Sequence, residues 1–197
     1  MKDRDVFLVR ETARSYGNES DLLTYDDYLR MPEGLRYELL EGELLMTPSP
    51  NTLHQTASKR LGRLFMEQLE DTGLGKVFIA PFDVVLSEHN VAQPDILFIS
   101  KDRLGIIGEL NVQGAPDLVV EILSESTSSR DRVTKRRVYS QYGVREYWIV
   151  DANAKTIEVA ARKEANLTPA GVYHAGETIL SPSYPGLAID VTPLFAE

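Results

Sequence analysis

The chain contains no cysteine, which excludes a disulfide framework and any thiolate metal site. Its apolar runs are all far shorter than the roughly 20 residues needed to span a bilayer. The opening stretch "MKDRDVFLVRETARSYGNESD" scatters charge throughout and lacks an apolar h-region, so no secretory signal is expected and the cytoplasm is the expected location. Basic excess is missing as well. Lys and Arg number 21 against 30 Asp and Glu, a formal net charge of -9. That balance speaks against a dedicated nucleic-acid coat protein, because phosphate binding runs on Lys and Arg. It leaves room for an enzyme whose site is locally basic, since fields depend on the distribution of charge as well as its sum. No internal repeat or low-complexity tract is present.

At 197 residues the chain suits one domain, expected over residues 22–197, with residues 1–21 as a polar, aperiodic N-terminal arm. Thr24, with Asp27 three residues on, predicts the N-cap of a short helix that stops before Gly34. "LRYELLEGELLMTP" predicts two short strands around a turn near Gly42, broken by Pro48 and Pro50. Over residues 51–71, Leu53, Ala57, Leu61, Leu64, Phe65 and Leu69 recur at three-to-four spacing, the mark of an amphipathic helix. Strands are expected over residues 76–86, 95–100 and 117–124, with a loop of about fifteen residues between the last two, a length that is uncommon and often functional. "SSRDRVTKRRVYSQYG" predicts a second long helix, with Val133, Val138 and Tyr142 as its apolar positions and Gly143 as its stop. "REYWIVDANAKTIEVAAR" is a hairpin turning at "DANAK", and short strands follow. The order describes an α/β or α+β sheet with helices packed on it.

The stretch "APDLVVEILSEST" places Glu121 in the middle of an apolar strand. An ionised carboxylate buried there costs several kcal/mol unless something pairs with it. Residues two apart share a face of a strand, and both faces are apolar around Glu121, so the strand is central. Upstream, in "NVAQPDILFIS", Asp95 opens another apolar run directly after Pro94. Two acidic residues on neighbouring central strands suit a hard cation such as Mg²⁺, which takes oxygen ligands and keeps several waters. Equally, a lone Asp opening a strand serves as a turn residue, and a buried Glu finds its partner in an Arg or Lys. The residues by themselves leave both readings open.

"QPDILFIS", "PDLVVEILSEST" and "RDRVTKRRVYSQYGVREYWIVD", in that order, resemble the Uma-two family of putative restriction endonucleases, a branch of the PD-(D/E)xK nuclease superfamily. "LRYELLEGELL…SPNTLH" and "GETILSPSYPGLAIDVTPLF" extend the resemblance from about residue 22 to the C-terminus. It implies a restriction-endonuclease-like fold, a central mixed β-sheet flanked by helices, and a Mg²⁺- or Mn²⁺-dependent endonuclease. It implies Asp95 and Glu121 as metal-binding carboxylates. The superfamily pattern expects a Lys two residues after the Glu, where this chain has Leu123. In the family that lysine has moved to the following helix, and Lys135 matches the new place, one turn from Asp131 on the same helix face. The family's N-terminal glutamate matches Glu38 in preference to Glu43, and its histidine matches His54. A homodimer, able to cut two strands, is a further implication of the resemblance.

In such a site the ion polarises the phosphate and lowers the pKa of a bound water, while Lys135 stabilises developing negative charge. The basic residues able to track a phosphate backbone cluster on the second long helix, with Arg132 and Arg136 foremost, and Lys59 stands out on the first. The expected partner is nucleic acid, DNA ahead of RNA. Two rivals stand beside this reading. One is a catalytically idle member that uses the fold for binding or self-association. The other is a structural protein in which Glu121 and Lys135 form a buried ion pair.

Overall fold

The computed structural model describes residues 22–32, 34–124 and 128–196; the arm expected over residues 1–21 lies outside them. Helix α1 (Tyr25–Leu29) starts where the sequence places its cap. The Thr24 hydroxyl accepts from the Asp27 N–H, and the Asp27 carboxylate accepts from the Thr24 N–H. Strands β1 (Arg36–Leu40) and β2 (Glu43–Thr47) form a hairpin whose turn needs left-handed backbone at Glu41 and Gly42, with φ of 55° and 77°. Asn51 then caps α2 (Thr52–Phe65) by accepting from the His54 N–H, and the helix runs on through a π-helical turn, Met66–Glu70.

Where one strand was expected over residues 76–86, there are two: β3 (Gly75–Ile79) and β4 (Asp83–Ser87). Pro81 interrupts the run, since it has no N–H to give a ladder, and the two halves enter different sheets. β5 (Asn90–Ala92) and β6 (Ile96–Ser100) follow. The supposed long loop holds a 3₁₀ turn, Lys101–Ile106, and a short strand, β7 (Asn111–Gln113). β8 (Leu118–Ile122) precedes α3, which is built of Ser128–Arg130, a π-helical turn over Asp131–Lys135, and Arg136–Tyr142. Gly143, at φ 97°, ends it in the left-handed region. The chain closes with β9 (Glu146–Asp151), β10 (Thr156–Lys163), β11 (Asn166–His174), β12 (Thr178–Leu180) and β13 (Ala188–Asp190).

Two large sheets result. One runs β11-β10-β9-β8-β6-β3 and the other β2-β1-β5-β4-β7. The six-stranded sheet is mixed: β8 and β9 pair in parallel and every other neighbour pair is antiparallel. A parallel pair needs a crossover, and α3 provides it. One face of this sheet carries Leu118, Val120, Ile122, Trp148 and Val150 against Ala57, Leu61, Phe65 and Leu69 of the first long helix. Phe65 meets Trp148 edge-on at 5.3 Å, and burying each such side chain is worth roughly 1.5–3 kcal/mol. The other face carries Val119, Tyr147 and Ile149 against Leu40, Tyr139 and Val144. Glu121 belongs to this second face, beneath α3. Val138 and Tyr139 are the buried apolar positions of α3, whereas Val133, expected to be one of them, is 61% exposed. The π-helical turn that contains Val133 presents Asp131 and Lys135 inward instead. Among the described residues no helix is long and apolar enough to cross a membrane.

Candidate active site

β6 and β8 run antiparallel with Ile96 opposite Val120, so one further step along the register sets Asp95 beside Glu121. Asp95 extends the pairing through its side chain, its Oδ2 accepting from the Ile122 N–H at 2.7 Å. The same oxygen lies 3.1 Å from His54 Nε2, which the Asn51 cap holds in the first turn of α2. The strand end, the helix start and the carboxylate are thereby tied together.

Glu121 finds its partners from α3. Tyr139 donates its hydroxyl to Oε1 at 2.7 Å, and Lys135 Nζ stands 2.9 Å from Oε2. Lys135 is 4% exposed and touches two more carboxylates, Glu38 Oε1 at 2.8 Å and Asp131 Oδ1 at 3.6 Å. Glu38 arrives from the other sheet, on β1. Its Oε1 also accepts from the Gln93 N–H at 2.8 Å, and its Oε2 lies 3.6 Å from Arg130 Nη1. Glu43, the alternative to Glu38, is solvent-exposed and lines a separate groove.

Burial pushes the Glu121 carboxyl well above the ordinary carboxylate range. The charges of Asp131, Glu38 and Asp95 push the same way, and Lys135 opposes them. For Lys135, burial works against the charge, but the carboxylates of Glu121, Glu38 and Asp131 outweigh it, so the ammonium is held more firmly than in water. Tyr139 is raised by burial first and by Glu121 second, which keeps its proton on the phenol and aimed at the carboxylate.

A cavity of about 40 Å³ opens over this cluster, walled by Arg36, Glu38, Thr47, His54, Gln93, Asp95, Glu121, Asp131 and Lys135, among others. That is room for two or three waters, or for an ion with part of its shell. Among the described residues no group of three His, Cys, Asp or Glu side chains is placed to hold a metal. Two hard carboxylates, Asp95 and Glu121, nevertheless share the wall, and Mg²⁺ is commonly held by one or two carboxylates with water and substrate phosphate completing its shell. The donor set fits such an ion.

Of the residues singled out from sequence, Asp95, Glu121, Lys135, Glu38 and His54 all meet at this cavity. Arg132, Arg136 and Lys59 do not. Arg132 pairs with Glu158 and lies 3.7 Å from Asp151, and Arg136 donates to the Leu167 carbonyl. Both line another groove on the outer side of α3, and Lys59 is exposed on α2. Sequence reasoning passed over Tyr139, Gln93, Arg36 and Thr47. Signals existed for two of them: Tyr139 follows Lys135 by four on one helix, and Arg36 precedes Glu38 by two on one strand.

The family model described as Uma2, putative restriction endonuclease, matches residues 25–192. The crystal structure of a putative nuclease belonging to DUF820 from Anabaena variabilis has the same fold, with a TM-score of 0.74 and 20% identity over 88% of this chain and 97% of that one. No curated protein matches the chain. The expected architecture, large mixed sheets flanked by helices, is the one found.

Proposed function

Because the chain belongs to the Uma2 family of putative restriction endonucleases, we propose that it hydrolyses phosphodiester bonds in nucleic acid, DNA ahead of RNA, with Mg²⁺ or Mn²⁺ as cofactor. The observation that carries this reading is the buried cluster of Glu38, Glu121, Asp131 and Lys135 set against Asp95 in one cavity. Asp95 and Glu121 hold the ion, which when bound polarises the phosphate and acidifies a water. Every other role falls to the chain itself. His54 steers Asp95 through Nε2, leaving the second carboxylate oxygen for the ion. Tyr139 turns Glu121 by holding Oε1. Lys135, fixed by Glu38, places its ammonium where negative charge grows on the phosphate oxygens. Arg132, Arg136 and Lys59 bind more distant phosphates. A homodimer would bring two such sites to the two strands of a duplex, and the cytoplasm is where the protein acts.

One observation favours a second reading. Both Glu121 oxygens already have protein partners, as expected of an idle member in which the cluster serves only as a buried ion network. Thermal melting of the wild type and Glu121→Ala, with and without Mg²⁺ or Mn²⁺, separates the two. The nuclease reading expects metal to raise the wild-type melting temperature and leave the variant unmoved. Cleavage of plasmid, single-stranded DNA or RNA by the wild type alone completes the case. A wild type indifferent to both ions and inert on all three substrates refutes it.

A further inference from the structure

The cavity has two unlike walls. On one stand the carboxylates and the lysine they hold; on the other stands Arg36, on β1 and directly opposite Thr47 of β2. Arg36 shares the Glu38 face of its strand, so its side chain reaches the same cavity. Its Nε donates to Gln93 Oε1 at 3.1 Å. Gln93 is itself fixed, donating from Nε2 to Asp83 Oδ1 at 2.7 Å and to the Tyr28 hydroxyl at 3.3 Å. The guanidinium is thus anchored at its root. Among the described residues its two terminal nitrogens have no hydrogen-bond or carboxylate partner. The other cation in the wall, Lys135, is surrounded by carboxylates. An independent observation lies alongside. The Thr47 hydroxyl is buried with no hydrogen-bond partner, a deficit that costs about 1–3 kcal/mol unless something fills it.

We propose that Arg36 and Thr47 form the phosphate grip of this site, the terminal guanidinium nitrogens and the Thr47 hydroxyl donating to the non-bridging oxygens of one substrate phosphate. A planar fork beside a hydroxyl is the donor set that a tetrahedral oxyanion requires. Carboxylates dominate the opposite wall and repel an approaching phosphate, so an unpaired cation on the entry side is what allows the anion in. Gln93 keeps Arg36 from collapsing onto Asp83, as an unrestrained guanidinium would. The grip rests on the nuclease reading for its substrate, a polynucleotide, but its chemistry is that of phosphate binding alone.

The test has two arms on the full chain, comparing the wild type with Arg36→Gln, Arg36→Lys, Thr47→Val and the surface control Arg63→Gln. In the first, thermal melts are run in inorganic phosphate and in chloride at matched ionic strength. Phosphate raises the melting temperature of the wild type and the control; it fails to do so for Arg36→Gln and does so less for Arg36→Lys and Thr47→Val. In the second, anisotropy of a labelled DNA duplex is followed against salt. Arg36→Gln binds about tenfold more weakly, and its log–log salt slope falls by about one. Equal phosphate shifts in the wild type and Arg36→Gln, or no shift in either, overturn the grip, as does an unchanged salt slope where the wild type binds. An Arg36-dependent phosphate shift with no duplex binding retains the grip and refutes the nuclease reading instead.

Discussion

Replacing Lys135 with Met tests the balance of charge in the buried cluster. The ammonium lies within 3.6 Å of Glu38, Glu121 and Asp131, and all four residues are at most 4% exposed. Removing the shared partner leaves carboxylates facing one another with only Arg130 nearby, at 3.6 Å from Glu38. Breaking a buried ion pair from one side costs about 3–5 kcal/mol. At the roughly 2–4 °C per kcal/mol expected for a chain of this size, the melting temperature should drop by about 6–20 °C. The sign of the pH dependence follows from Glu121. Its folded pKa is already raised, and Lys135 is the group holding it down, so the variant raises it further. A raised carboxyl costs nothing below the unfolded value of about 4.3 and destabilises increasingly as pH climbs toward the folded value. The deficit should therefore narrow as the solution is acidified toward about pH 5, by up to about 1.4 kcal/mol per pH unit for one group. Differential scanning calorimetry across that range measures it. A variant that melts within about 2 °C of the wild type, or whose deficit ignores pH, would refute the argument.

The Tyr139→Phe variant keeps the ring and removes the donor to Glu121 Oε1; a loss of about 1–3 kcal/mol is expected, and calorimetry shows it. In any active preparation the same change should move the acidic limb of the pH–rate profile upward, because the Glu121 carboxylate loses a donor that favours its charge. Gly75→Ala would set a Cβ 2.1 Å from the Ile99 carbonyl oxygen, and a loss of about 1–3 kcal/mol or more follows from the backbone shift required; urea denaturation measures it.

Much of this was legible in the chain. Periodicity located the two long helices, and the Thr24–Asp27 box and Gly143 placed helix ends where they are found. Glu121 announced itself as a charge in an apolar strand, and its partners are Lys135 and Tyr139. What periodicity could not supply was phase through irregular helix. Val133 fits an apolar stripe when counted at 3.6 residues per turn, but the π-helical turn over Asp131–Lys135 changes the count and leaves it outside. Nor could it find Gln93, whose side chain links Arg36 to Asp83 and whose backbone N–H supports Glu38. Those partners lie ten to 57 residues away in sequence, and nothing local marks the link.

The wide turn in α3 makes the cluster depend on the number of residues as well as on their kind. A π-helical turn carries one residue more than an α-turn spans, and each residue advances an α-helix by about 100°. Deleting Thr134 would leave every side chain of the site chemically intact. It would also let the turn relax to ordinary α-geometry, swinging the helix before it by about that angle relative to the part after it. Asp131 and Lys135 could not then both face Glu121. Related chains that differ here by a single residue should therefore lose the cluster as a unit, or rebuild it from another position of the helix.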